Sequence, residues 1–199
     1  MPDNIFEIIF LSGWIVAEII RFPHRMRNKQ ERRQKKISES HTTAADALLD
    51  ILAFVGLQVL PLVYVVSTWL DFADYSLPAW VGWTGAGVFV LSLLLLWRAH
   101  ADLGRSWSPT LEIAQEHKLV TRGVYHYIRH LIYASVWLWG VAQALLVQNW
   151  LAGLGGLLFF FPVYLIRVPR EEQMMLEHFG EDYRLYMNRT GRVIPLLWK

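Results

Sequence analysis

Three stretches of this chain, residues 1–20, 70–97 and 130–166, contain no lysine or arginine. The nineteen basic residues fall in the intervals: Arg21 alone, seven in HRMRNKQERRQKKISES, five between Arg98 and Arg129, and six from Arg167 onward. Apolar blocks fill much of the remainder. A spanning helix takes ~20 mostly apolar residues, and five runs qualify: Ile5 to Ile20 (extendable to Phe22), Ala44 to Leu70, Ala79 to Trp97, Leu131 to Gln148, and Trp150 to Ile166. Five crossings put every basic residue on one side, which the positive-inside rule makes cytoplasmic. The N-terminus and the loop with Asp71 and Asp74 then face outward. MPDN lacks the basic start of a signal peptide, so the first run is expected to be a retained helix.

Composition agrees. Of 199 residues, 54% are hydrophobic, ten are Trp and none is Cys, above the apolar share of an ordinary soluble domain. Without cysteine there are no disulfides, zinc–thiolate sites or thiol nucleophiles. The expectation is an all-α integral membrane protein with about five transmembrane helices, forming a single membrane domain over 1–199. Residues 1–97 supply three spans and a basic cytoplasmic linker, 23–43. Residues 98–199 supply a polar loop, spans four and five, and a C-terminal cytoplasmic segment. Only Gln148 and Asn149 separate the last two runs, predicting a tight helical hairpin.

The basic linker suits anionic headgroups. Nucleic acid is not expected as a partner, since no fold signature or base-stacking platform accompanies the charge, and neither is a metal. Glycines at 82, 85 and 87, and at 153, 155 and 156, lie within apolar runs, so close helix packing explains them better than a phosphate loop. Pro61 and Pro162 are expected to kink their helices, and Pro169 to bend the fifth where it leaves the membrane.

Chemistry-bearing residues collect in two cytoplasmic blocks flanking the hairpin, LEIAQEHKLVTRGVYHYIRHLIYASVW and YLIRVPREEQMMLEHFGEDYRLYMNRTGRVIP. On a helix beginning near residue 130, His130, Tyr133 and Trp137 share a stripe. They line a pocket or form an interfacial aromatic belt. Tyr164, Arg167 and Glu171 share a face of the fifth helix, either as site residues or as an interfacial ion pair with Arg167 snorkelling. Glu177, Glu181 and Asp182 read as a solvated face. Glu18 pairs locally with Arg21. Asp46 and Asp50 sit near the cytoplasmic end without evident deeper partners, which gives ion transport little support.

HKLVTRGVYHYIRHLIY, about thirty apolar residues, then RVPREE and FGEDYRLY, together resemble the isoprenylcysteine carboxyl methyltransferase family, most closely its short prokaryotic members. The resemblance covers roughly Leu103 to Pro195. It implies S-adenosylmethionine as cofactor, bound without a Rossmann fold in a cytoplasmic pocket enclosed by the terminal hairpin and its flanking segments. Carried onto this chain, the family pattern implicates His117, Lys118, Leu119 and Val120 as one wall, then Tyr125, His130, Leu131, Ile132 and Tyr133, with Trp137 beside them. Glu171 faces the cofactor. Arg167 binds an acceptor carboxylate, with Tyr164 next to it. The family usually reads Arg-His-Pro, and Leu131 replaces that proline, which suits a first helical turn.

The implied catalytic residues are Arg167 and Glu171. A carboxylate acceptor is already ionised at neutral pH and needs alignment more than a base. A guanidinium grips it through paired hydrogen bonds, and aromatic faces attract a sulfonium. The expected partners are a lipid-attached or small hydrophobic acceptor and membrane lipids. The expected location is a prokaryotic cytoplasmic membrane with the catalytic face inward. The alternatives are methylation of a phospholipid amine or small thiol, an NADPH-dependent sterol-type reductase, and a non-enzymatic membrane scaffold or transporter.

Overall fold

The structure, a computed structural model, describes residues 3–33, 37–40, 44–104, 112–114 and 119–196. Helix α1 runs from Asp3 to Arg33, well past the apolar run that starts it. Ala44–Phe54 (α2) continues through a π-helical turn, Val55–Val59, into Leu60–Val66 (α3). Ala79–Leu103 (α4), Leu131–Leu146 (α5), Gly155–Phe179 (α6) and Glu181–Arg189 (α7) complete the helices. The two polar intervals add strands to the expected all-helical plan. Ile37–Ser40 (β1) pairs antiparallel with Glu112–Ala114 (β2).

The π turn has a local cause. Pro61 has no N–H to give to the preceding turn, and just before it the Leu60 N–H reaches back to the Val55 carbonyl, five residues away. A single wide turn thus carries one continuous helix past the proline. Pro169, expected to mark a bend, lies inside α6, which remains helical for ten more residues.

Two helices are long and apolar enough to cross a membrane, Ala44–Val66 and Ala79–Leu103, and α5 is apolar but shorter. Their outer faces carry large exposed side chains, among them Leu48, Ile51 and Phe54 on α2 and Val90 and Leu94 on α4. Such a continuous apolar surface is not stable against water. On α4, exposed Trp80 and Trp83 lie near one end and Trp97 near the other, about 21–26 Å apart at 1.5 Å per residue. That is the spacing of two interfacial aromatic belts.

Inside, α4 packs along α5 and α1, while α6 packs on α2, the π turn and α5. Phe10 stacks on Phe89 at 5.6 Å, and Trp139 meets Phe89 edge-on at 4.8 Å. Gly56 and Gly155 let α6 approach the π turn so closely that a Cβ at Gly56 would strike the Gly155 carbonyl. Gly82 and Gly156 likewise sit against neighbouring side chains, Phe6 for the first and Gln143 and Leu57 for the second. Gln143, fully buried, donates to the Gly56 carbonyl at 2.9 Å and the Ala152 carbonyl at 2.6 Å, and accepts from Trp139 Nε1 at 3.1 Å. Its polar atoms are thereby satisfied among apolar helices.

The terminal hairpin forms, but its connection is longer than two residues. α5 ends at Leu146 and α6 begins at Gly155, so Trp150 to Leu154 belong to the turn. Buried Asn149 organises it: Oδ1 accepts the N–H groups of Leu151 and Ala152, and Nδ2 donates to the Leu70 carbonyl and to Asp74. Like an N-cap side chain, Asn149 accepts two N–H groups that a helical turn leaves without backbone partners.

Candidate functional site

At the end of the bundle opposite Asn149, the chain closes over a cavity of about 440 Å³, within the range of small-ligand sites. Its floor and walls come from α2, α4, α5, α6 and α7, from α1, and from the segment leading into α5.

That segment is anchored first. Gly123 has φ of 63°, and a Cβ there would meet the Asp102 carboxylate. Asp102 instead accepts the Val124 N–H at 3.1 Å and pairs with Arg98 at 3.1 Å. The resulting turn sets Tyr125 into the cavity wall, where it is 5% exposed and its carbonyl accepts the Tyr186 hydroxyl at 2.6 Å. Beyond it the chain pairs with the C-terminal segment. The N–H groups of Arg129 and His130 donate to the carbonyls of Gly191 and Arg192 at 3.0 and 2.9 Å, and the Gly191 N–H returns to Tyr127 at 3.1 Å. α5 then starts at Leu131, fully buried among Ala99, Tyr125, Ile128 and Ala134. Packing thus fixes the helix entry at Leu131.

Two adjacent glutamates on α6 take different partners, because successive helical residues point about 100° apart. Glu171 lines the cavity. It accepts the Tyr133 hydroxyl at 2.6 Å, faces Arg167 Nε at 3.3 Å and lies 3.6 Å from His130 Nδ1. Glu172, 3% exposed, turns into the protein. It accepts Arg129 Nε at 2.7 Å, His130 Nε2 at 3.2 Å, and Arg192 at 3.1 and 2.6 Å on its two oxygens. Burial works to raise its pKa, but the hydrogen bonds from His130, Arg192 and Arg129 prevail and hold the carboxyl at about 2. An ionised carboxylate only accepts, so the bond to Glu172 assigns the proton of His130 to Nε2. Arg192 is raised in turn, chiefly by its hydrogen bond to Glu172.

Arg167 is 6% exposed. Besides Glu171 it holds Asp50 of α2 at 2.5 Å, and one turn on Arg170 holds Asp46 at 2.7 Å. Asp46 and Asp50 therefore have partners after all: the two aspartates clamp α2 to α6.

Of the expected site residues, Leu119, Val120, Tyr125, His130, Leu131, Ile132, Tyr133, Arg167 and Glu171 line this one cavity. Trp137 and Tyr164 pack against each other at 5.6 Å and against Phe160 and Tyr133 respectively, and do not line it. His117 and Lys118 lie outside the described residues. Arg129 bonds Glu172 and the Thr190 carbonyl while also lining the cavity. Sequence reasoning missed Glu172, Arg192 and Asp50. The doubled glutamate in RVPREE is the one available signal, since two carboxylates side by side on a helix must face different surroundings.

Fold and cavity together define a lipid-facing helical bundle with a ligand-sized chamber at one end, lined by charged groups and a larger apolar surface. Residues 85–177 match the isoprenylcysteine carboxyl methyltransferase (ICMT) family. Protein-S-isoprenylcysteine O-methyltransferase B of Arabidopsis thaliana is 28% identical over 120 residues, 59% of this chain and 61% of the relative. The protein-S-isoprenylcysteine O-methyltransferase of Schizosaccharomyces pombe is 28% identical over 113 residues, 56% and 48% of the two chains. That of Homo sapiens is 26% identical over 144 residues, 68% and 51%. The match to this family covers just under half of this chain. The chain spans about half to three-fifths of the length of these relatives. Nothing in these matches favours the reductase or the scaffold and transporter alternatives.

Proposed function

We propose that the protein is an integral membrane methyltransferase that uses S-adenosylmethionine and acts on a carboxylate carried by a lipid-like acceptor. The observation that carries this reading is the meeting of Glu171, Tyr133, His130 and Arg167 in one chamber beside an apolar wall. The residues suit the donor. Glu171 presents a carboxylate to a ligand that bears positive charge, and Tyr133 fixes that carboxylate through its hydroxyl. Leu119, Val120 and Ile132 offer apolar surface, and Tyr125 and Tyr133 offer aromatic faces, to a nucleoside and a sulfonium. When bound, S-adenosylmethionine supplies an electrophilic methyl group.

The remaining work falls to this chain. An acceptor carboxylate arrives ionised and requires no proton acceptor. Arg167 orients it, with Asp50 and Glu171 holding the guanidinium in place before it arrives. Preorganisation of this kind lowers the entropic part of the barrier. Ala53, Phe54, Leu57 and Val136 line the cavity as well, giving an apolar chain a surface to lie on.

The proposed topology has five crossings, with the chamber on the cytoplasmic side of what we take to be a prokaryotic cytoplasmic membrane. Its support is the sorting of groups to the two ends: Asp74 with Asn149 at one, Arg27 with the Gly104 carbonyl and the Glu172 cluster at the other.

The test is transfer of a labelled methyl from S-adenosylmethionine by the purified protein in detergent, across prenylcysteine, phospholipid amine and thiol acceptors. Transfer to the prenylcysteine carboxylate supports the proposal. Transfer solely to amine or thiol, or donor binding with no transfer to any acceptor, rejects it.

A further inference from the structure

The arginines that line the chamber are unequally balanced. Arg167 has carboxylate oxygens at 2.5 and 3.3 Å, and Arg129 has one at 2.7 Å. The other two, Arg21 and Arg25, come from α1, outside the family-matched residues 85–177. Among the described residues they share a single carboxylate, Glu18, at 2.9 Å from Arg25 and 3.9 Å from Arg21. Arg21 keeps only 16% of its side chain exposed, and its guanidinium lies over the Trp139 ring, 5.8 Å from the centroid. Two cations against one anion leave a surplus positive charge on a wall otherwise made of Ala53, Leu57, Val136 and neighbouring apolar groups.

A cation removed from water without a full partner is costly. Stacking on tryptophan recovers part of that cost, and a ligand that brings an oxyanion recovers the rest. The apolar surface next to Arg21 asks for a chain attached to the anion.

We infer that Arg21 and Arg25 form an oxyanion subsite of the chamber, and that its ligand is an amphiphile whose headgroup carries a carboxylate or phosphate. This rests on reading the chamber as the acceptor site, and it adds an anion-selective wall contributed by α1. It also assigns the anion to the acceptor rather than to the carboxylate of the donor.

The experiment titrates the full chain, in a neutral maltoside detergent, with decyl phosphate, decanoate and uncharged decanol, and in parallel with S-adenosylhomocysteine. A charge-assisted hydrogen bond supports a preference of roughly tenfold or more. The wild type should bind at least one decyl anion about tenfold more tightly than decanol. Arg21→Gln should reduce the preference to about threefold or less, and Arg21→Lys should keep most of it. S-adenosylhomocysteine affinity should stay within about twofold in both variants. Where Arg21→Gln lowers the melting temperature, Arg25→Gln at its more exposed position supplies the reading, with the preference falling about threefold. The inference is overturned if wild type shows no anion preference, if the preference survives the loss of both positive charges, or if S-adenosylhomocysteine affinity falls in step with it. Anion-selective binding without methyl transfer would sink the proposed activity and leave this subsite standing.

Discussion

Arg129 Nε lies 2.7 Å from Glu172 Oε1, tying the segment that enters α5 to the polar half of α6 across 43 positions of sequence. His130 and Arg192 meet the same carboxylate. One buried anion therefore gathers three cationic or polar groups from two distant segments, and it shapes the chamber without lining it.

Removing that anion should be expensive. Glu172→Ala leaves Arg129 nearly buried with no carboxylate partner, and breaking a buried pair costs about 3–5 kcal/mol. The thermal midpoint in detergent should fall by several degrees, and donor affinity should fall with it as His130 loses its anchor. Glu171→Ala should instead leave the midpoint near that of wild type while weakening S-adenosylhomocysteine binding by tenfold or more, on the order of 1.4 kcal/mol. Differential scanning fluorimetry and isothermal titration separate the two outcomes.

The same carboxylate sets an acid limit. Its pKa is lowered from 4.5 to about 2 in the folded protein. A depressed carboxylate stabilises the fold fully above its unfolded value, and that contribution disappears as pH falls through the folded one. Stability should decline between about pH 4.5 and pH 2, and Glu172→Gln should remove this share of the decline. Melting curves from pH 6 to pH 3 check it.

Arg167 and Tyr133 should divide by kinetic signature. Arg167→Lys keeps a charge but loses the planar fork, so kcat/KM should drop about a hundredfold while S-adenosylhomocysteine binding stays within about threefold. Tyr133→Phe removes one hydrogen bond to Glu171, worth about 1 kcal/mol, and should weaken donor binding by roughly fivefold with a smaller change in turnover. Comparable donor-affinity losses in both variants would refute the division of roles.

The absence of cysteine makes orientation directly measurable. Ser76→Cys, in the acidic loop, should react with an impermeant maleimide added to intact cells. Glu181→Cys, at the start of α7, should react only after permeabilisation. Labelling in the reverse order would invert the topology.

Much of the plan was legible in the chain. Apolar runs marked the helices, because hydrophobic periodicity is a local property, but not their ends: α1 continues to Arg33 and α6 to Phe179. The residues that the family resemblance implicated include Tyr125, His130, Tyr133, Arg167 and Glu171, which meet at the cavity. Local rules also failed in identifiable places. Asn149 was read as part of a two-residue break, although its side chain caps the turn before α6 and ties it to Leu70 and Asp74. Pro169 lies within α6 rather than at its end, and the helix beyond it is held to α2 through Arg170 and Asp46. Glu172 went unnoticed because its partners, Arg129 and Arg192, are 43 and 20 residues away. Trp137 shared a helical stripe with His130, but a stripe is wider than a cavity wall.

The pairing of Arg129 and His130 with Gly191 and Arg192 has an implication for how the molecule is made. Glu172 is translated twenty residues before its final partner, so when α6 first inserts, the carboxylate has only part of its shell. The shell closes only once Arg192 has folded back onto α6, so ligand competence should trail the insertion of that helix.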